Sequence, residues 1–101
     1  MMDAVIKMGI TSITEAGMFT WREYELLQEM YRDGELRIRI NILFASRLID
    51  EIIEKGIRTG YGNEWIRITG IKQHSDGWMS PCTSALLEPY KVGINKHGIL
   101  F

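Results

Sequence analysis

The sequence predicts an α/β fold built on a parallel sheet, and this prediction depends on two patterns. Segments rich in β-branched residues alternate along the chain with segments whose apolar residues recur at helical spacing. After the end of a helix at residues 1–8, the order is strand, helix, strand, helix, strand. Alternation of this kind indicates parallel strands joined by right-handed crossovers. We therefore expect three parallel strands with helices on one side only.

Length and composition are those of one globular domain. The chain has 101 residues, of which 46% are hydrophobic and 25% are charged. Its 12 basic and 13 acidic residues give a net charge of −1, which argues against a nucleic-acid partner. No apolar run reaches the roughly 20 residues that cross a bilayer, so no membrane partner is expected. Cys82 is the single cysteine, which excludes an internal disulfide and favours a reducing, cytoplasmic location.

The first strand is predicted at residues 10–14, after a helix that Gly9 ends, and residues 15–17 are expected to close it. Thr20 then begins a helix, because Thr20 and Glu23 have the spacing of a capping box. The apolar face of this helix comprises Tyr24, Leu27, Met30 and Tyr31.

The second strand is predicted at residues 36–42, where apolar residues facing the helices alternate with polar residues facing water or a polar interior. Ser46 is expected to cap the next helix, which ends at Lys55 and Gly56. Its buried stripe comprises Leu48, Ile49, Ile52 and Ile53. The third strand spans residues 65–69 and 71–74 with a break at Gly70, and residues 76–101 follow as an irregular segment.

The end of the third strand carries the strongest candidate site. Lys72 and His74 are two residues apart and share a face, and Asp76 follows at the strand's exit. In parallel α/β folds the carboxyl ends of the strands carry the active site, so these residues are candidates for a metal or acid/base cluster. On spacing alone, a solvated edge strand with no chemical role explains them equally well. Glu15 and Asn41, near the ends of the other strands, are weaker candidates.

Four segments together resemble the metal-dependent amidohydrolases, in the branch that includes the N-substituted formamide deformylases. GITSITEAG at 9–17 resembles the family's second strand, and LRIR at 36–39 resembles its third. IKQHSDG at 71–77 resembles the lysine-containing fourth strand, and TSALLEPY at 83–90 resembles the segment after it. Departures occur at Thr14 and Glu15, where many relatives carry His-Asp, and at Trp78 and Cys82, where many carry serine and arginine.

This resemblance implies that residues 1–101 form one partial domain, about strands two to four of a (β/α)₈ barrel. The family hydrolyses non-peptide C–N bonds with one or two divalent metals, commonly zinc, which activate water and polarise the substrate carbonyl. The resemblance places Lys72 at the position where a carboxylated lysine of the family bridges two metals. It also implies that the family's other metal ligands lie outside this chain. His74 and Asp76 are expected to line the site beside Lys72.

We therefore expect a fragment of a hydrolase acting on small-molecule amides. The isolated chain is expected to be inactive, marginally stable and self-associating through two open sheet edges. One alternative is a small non-catalytic α/β module that binds a partner through its sheet. Another is a self-contained enzyme that uses Lys72, His74 and Asp76 without metal.

Overall fold

A computed structural model describes residues 2–93 and 96–101, and its helices and strands follow the predicted order. Within these residues the elements are α1 (Met2–Lys7), β1 (Ser12–Met18), α2 (Trp21–Arg32), β2 (Arg39–Ala45), a 3₁₀ turn (Ser46–Leu48), α3 (Ile49–Glu54) and β3 (Ile66–Lys72). The strands form one sheet in the order β1-β2-β3, and both pairs are parallel. The predicted α/β class with a three-stranded parallel sheet is confirmed. No helix in the described ranges is both long and apolar enough to cross a membrane.

The apolar side of the sheet forms the core, as the alternation in the second strand predicted. Ile40, Ile42 and Phe44 of β2 are buried beside Ile66 and Ile68 of β3. From α2 and the turn after β2, the core also receives Trp21, Tyr24, Leu27, Met30 and Leu48. Elements before and after the central strand therefore cover the same face of the sheet.

The boundaries of the first two strands were predicted too early in the chain. β1 spans Ser12–Met18 instead of residues 10–14, because pairing with β2 continues from Ser12 to Met18. Gly17, expected to end the strand, lies at a bulge with φ of +129° and turns Met18 into the core. β2 begins at Arg39 instead of residue 36, since its pairing with β1 starts at Arg39 and its pairing with β3 at Ile40.

The helix after β2 also differs from the prediction. A 3₁₀ turn precedes α3, and Ser46 makes no side-chain capping bond to either element. Leu48 and Ile52 are buried, but Ile53 is 68% exposed and Ile49 is also exposed. The 3₁₀ turn advances fewer residues per revolution than an α-helix, so a stripe at α-helical spacing does not stay on one face. Tyr31, at the end of the predicted α2 face, is likewise exposed.

β3 is continuous across Gly70, where a break was predicted. Ile68 pairs with Ile42 and Gly70 pairs with Leu43, which leaves Thr69 between them as a bulge. The Thr69 hydroxyl donates a hydrogen bond to the Ile42 carbonyl oxygen at 3.1 Å. The bulge shifts the register by one residue, and β3 stays paired with β2 on both sides of it.

The outer edge of β3 is partly covered by the chain itself, which corrects the expectation of two open edges. The amide of Ile68 donates to the Tyr61 carbonyl oxygen at 2.8 Å, and Gly60 donates back to Ile68 at 2.7 Å. Asn63 binds Ile66 through its own amide at 2.8 Å and through its side-chain oxygen at 2.9 Å. Residues 60–63 thus occupy the first half of this edge. Within the described ranges, no strand pairs with the outer edge of β1.

The N-terminus of α2 has the capping box that its sequence predicted. The Glu23 amide donates to the Thr20 hydroxyl oxygen at 3.3 Å, and the Glu23 carboxylate accepts from the Thr20 amide at 2.7 Å. The Thr20 backbone amide is also the main cause of the lowered pKa of Glu23, since its hydrogen bond favours the ionised carboxylate.

Removing this box should destabilise the chain in a pH-dependent way. Thr20→Ala is expected to lower the free energy of unfolding by about 1 kcal/mol at pH 7, whereas Thr59→Ala, at an exposed threonine, should leave it unchanged. Because folding lowers the pKa of Glu23, the ionised Glu23 carboxylate contributes its full stabilisation of the folded state above the pKa of the unfolded chain, about 4.3. It is lost as the pH falls through the lower folded value. Urea denaturation between pH 3 and 7 would measure both effects, and Glu23→Gln should remove the pH-dependent part.

Candidate functional site

The candidate site lies at the carboxyl end of the sheet, where the three strands finish side by side. Met18 is aligned with Phe44, and Ala45 with Lys72, so the last residues of all three strands lie near one edge. Residues 73–93 continue from this end of the sheet as an irregular loop. Parallel α/β folds bind ligands at this edge because the loops that follow the strands converge there.

Lys72 is the last residue of β3 and is half-buried. Ile71 packs against the core under the helices, and alternation along the strand therefore directs Lys72 to the opposite, helix-free face. No hydrogen bond or ion pair joins Lys72 to another side chain in the described part of the molecule. The Lys72 side chain thus lies at a strand end without a polar partner among the described residues.

His74 and Asp76 follow Lys72 but have other contacts. The His74 imidazole meets the Trp78 indole edge-on, with 5.6 Å between ring centroids. One oxygen of the Asp76 carboxylate accepts from the Ala85 amide at 3.0 Å, and the other accepts from the Ser75 hydroxyl at 3.2 Å. The structure places the three predicted residues within five positions of one another, and neither a hydrogen bond nor an ion pair joins their side chains.

The segment after β3 is irregular but tightly bonded, with Thr83 at its centre. The Trp78 amide donates to the Thr83 hydroxyl oxygen at 2.9 Å, and the Ile99 amide donates to the Thr83 carbonyl oxygen at 2.9 Å. A Cβ atom on Gly77 would lie 2.3 Å from that same carbonyl oxygen, so only glycine fits there. Sequence reasoning missed this function of Thr83 and of the Asp76 carboxylate, which is to fix the loop beside the strand end.

The two weaker candidates lie away from this end of the sheet. Glu15 is in the middle of β1, because that strand extends to Met18, and it lines a groove beneath α2. Asn41 is the third residue of β2 and lines a cavity near the amino ends of the strands. Neither residue is brought near Lys72 by the fold.

The donors within this chain do not fit a complete metal site. In residues 2–93 and 96–101, no group of three or more His, Cys, Asp or Glu side chains could hold a metal ion. Both oxygens of the Asp76 carboxylate accept hydrogen bonds that hold the loop. At positions 72–76 the side chains that ordinarily bind metals are those of His74 and Asp76, and two ligands are fewer than a metal site requires.

Comparison with known proteins finds similarity in structure and none in sequence families. No protein-family model and no curated protein matches the chain. An uncharacterized metal-dependent hydrolase from Pyrococcus furiosus superposes with a TM-score of 0.82 over 97% of this chain at 23% identity. A second one, from Pyrococcus horikoshii OT3, gives 0.81 over 97% at 22% identity. This chain spans 20% of the length of each. At such identity the similarity shows the fold of this segment.

Proposed function

We propose that this chain is one arc of a metal-dependent hydrolase barrel that cleaves C–N bonds of small non-peptide amides. The observation that carries the proposal is Lys72, a lysine at the carboxyl end of a parallel strand and on the face away from the helices. The structural similarity to two proteins described as metal-dependent hydrolases supports the hydrolase class. The amidohydrolase resemblance of residues 71–77 and 83–90 supports the reaction on C–N bonds. We propose that the complete enzyme is located in the cytoplasm.

Lys72 is proposed to contribute one metal ligand, and the remaining ligands would come from strands outside this chain. A lysine ammonium would repel a cation, but its neutral amine can add CO₂ and release a proton, which gives a carbamate. The carbamate is an anionic oxygen ligand suited to zinc or a similar divalent ion. In the complete barrel such an ion, when bound, would activate water and polarise the amide carbonyl. His74 and the Asp76-bonded loop would form the adjacent wall of the site.

The proposal predicts different behaviour for the isolated chain and for a complete barrel. Alone, the chain should bind no stoichiometric zinc and hydrolyse no amide, because it lacks the other ligands. In a chimera in which it replaces the matching fifth of the Pyrococcus furiosus hydrolase, Lys72→Ala should lose metal, measured by mass spectrometry, together with any amidase activity. Bicarbonate or a short carboxylate should partly restore metal by filling the vacated position.

Lys91→Ala is the matched control, because Lys91 is exposed in the irregular segment. This variant should keep full metal content. A Lys72→Ala chimera with unchanged metal and rate would remove Lys72 from the ligand set. A wild-type chimera that folds without metal would count against the hydrolase proposal as a whole.

The second candidate is a non-catalytic module that binds a partner strand, and the unpaired outer edge of β1 favours it. This function requires no metal in any context, so the same metal analysis distinguishes the two. A metal-free enzyme using Lys72, His74 and Asp76 has less support, since the Asp76 carboxylate is bound to the Ala85 amide and forms no ion pair with Lys72 or His74.

A further inference from the structure

The helix-free face of the sheet has a second group of polar residues, at the end opposite Lys72. Arg39 is the first residue of β2, and Arg67 is the second residue of β3. Together with Ser12, Asn41, Glu64 and Trp65, they line a cavity of about 330 Å³. Arg67 lies about 16 Å along the strand from Lys72, at 3.3 Å per residue. This cavity is therefore separate from the candidate site at the carboxyl end.

The Arg39 guanidinium is held in one orientation by hydroxyl groups of the neighbouring strand and the residue before it. Its Nε donates to the Ser12 hydroxyl oxygen at 3.0 Å, and its Nη2 donates to the Thr11 hydroxyl oxygen at 3.3 Å. These contacts use two of the five N–H donors of a guanidinium. The other three stay available to a ligand, and neutral hydroxyl partners leave the positive charge uncompensated.

The charges around the cavity favour an anion. Neither Arg39 nor Arg67 has a carboxylate within 4.0 Å among the described residues, whereas Arg37 is paired with Asp3. Glu64 lines the wall without forming an ion pair, so the wall has two positive charges and one negative charge. The acidic residue of the strands, Glu15, lies on the other face beneath α2. The helix-free face thus presents Arg39, Arg67 and Lys72 with no strand carboxylate beside them.

We propose that this cavity is a carboxylate-binding site, in which Arg39 and Arg67 hold one carboxylate between their guanidinium groups. Planar guanidinium groups bind carboxylates through two parallel charge-assisted hydrogen bonds. Asn41 adds an amide donor, and the Trp65 indole supplies an apolar wall against the carbon attached to the carboxylate. The ligand is either a free compact carboxylate or an Asp or Glu side chain of a protein segment that covers this face. The proposal does not depend on the hydrolase reaction.

Titration of the isotope-labelled chain followed by NMR tests this site. Sodium acetate and a hexaglutamate peptide are the two probes, and sodium chloride keeps the ionic strength constant. Saturable shifts are expected at Ser12, Asn41 and the Trp65 indole. Arg39→Gln and Arg67→Gln should each weaken binding about tenfold, as loss of a charge-assisted pair implies. Arg58→Gln, which removes an exposed arginine outside the cavity, should not.

The affinity of the Glu64→Gln variant for acetate tests whether the two arginines bind the anion or only stabilise the fold. If the arginines were only structural, this substitution would not change the affinity. It removes the negative charge from the wall and should tighten acetate binding several-fold. Acetate saturation identifies a free carboxylate as the ligand, and binding of the peptide alone identifies a protein side chain. Equal weakening by Arg58→Gln and Arg67→Gln, an unchanged affinity in Glu64→Gln, or shifts that chloride reproduces would each overturn the proposal.

Discussion

Replacing Phe44 with alanine is expected to unfold the chain. Phe44 is fully buried in the central strand, and its ring lies 4.7 Å from the Trp21 ring and 5.9 Å from the Tyr24 ring. It is also aligned with Met18 on one side and Ile71 on the other. Removing a buried phenylalanine ring costs about 3–5 kcal/mol, because the transfer energy and the contacts around the cavity are both lost. Complete domains are stable by about 5–15 kcal/mol. Because this chain buries only one side of its sheet, we expect a stability near the lower end of that range, which the loss of the Phe44 ring would remove.

Phe101→Ala is the matched control, since it removes the same ring from a position that is 73% exposed. Its effect should stay within about 0.5 kcal/mol, as for most surface substitutions. Urea denaturation followed by tryptophan fluorescence would measure both variants, because Trp21 contacts Phe44 directly. A Phe44→Ala chain that unfolds at the same urea concentration as the wild type would show that the sheet and α2 are not packed as described.

The second large effect is expected for Gly62→Ala, which should expose the outer edge of β3. Gly62 has φ of +127°, and an added Cβ would lie 2.1 Å from the Ile66 carbonyl oxygen, far inside any normal contact. Residues 60–63 would have to move off the strand, and the bonds of Tyr61 and Asn63 to β3 would break. Backbone strain and lost hydrogen bonds together are expected to cost about 2–4 kcal/mol.

Gly62→Ala is also expected to change how the chain self-associates, which a general loss of stability would not explain. With residues 60–63 in place, the β1 edge is the main surface left for strand pairing among the described residues, so any association through sheet edges is expected to stop at pairs. Freeing the β3 edge as well gives each chain two unlike edges, and unlike edges can join head to tail without closing. Sedimentation velocity should therefore show larger species for Gly62→Ala than for the wild type.

Gly56→Ala separates strain from exposure of the edge. Gly56 also has a positive φ, +66°, but nothing lies within 4 Å of an added Cβ, and its amide donates to Ile53 instead of to β3. It should lose about 1–2 kcal/mol through left-handed backbone strain without a change in the size of the assemblies. If both glycine variants sediment alike, then residues 60–63 do not protect the edge.

Some features of the candidate site could be predicted from local sequence patterns, and others could not. The position of Lys72 at a strand end followed from the apolar residues before it and the Asp-Gly after it. Alternation with Ile71 gives the face on which Lys72 lies once Ile71 is known to pack against the core, and the bulge at Thr69 leaves that relation intact because both residues come after it. The bonds of Asp76 to Ala85 and of Thr83 to Ile99 could not be anticipated in the same way. They join residues of an irregular segment, where no periodicity relates one position to another.

The sequence by itself determined the class of fold, the order of its elements, the capping box at Thr20 and the side of β2 that faces the helices. Each of these depends on residues within a few positions of one another, through helical or strand periodicity or a single turn. Tertiary structure alone decided where β1 and β2 begin, which edge of the sheet is covered, and that Arg39 and Arg67, on two neighbouring strands, line one cavity. The physical reason is that strand limits and cross-strand neighbours are set by hydrogen bonding between distant segments. That pairing fixes the register, and no local pattern contains it.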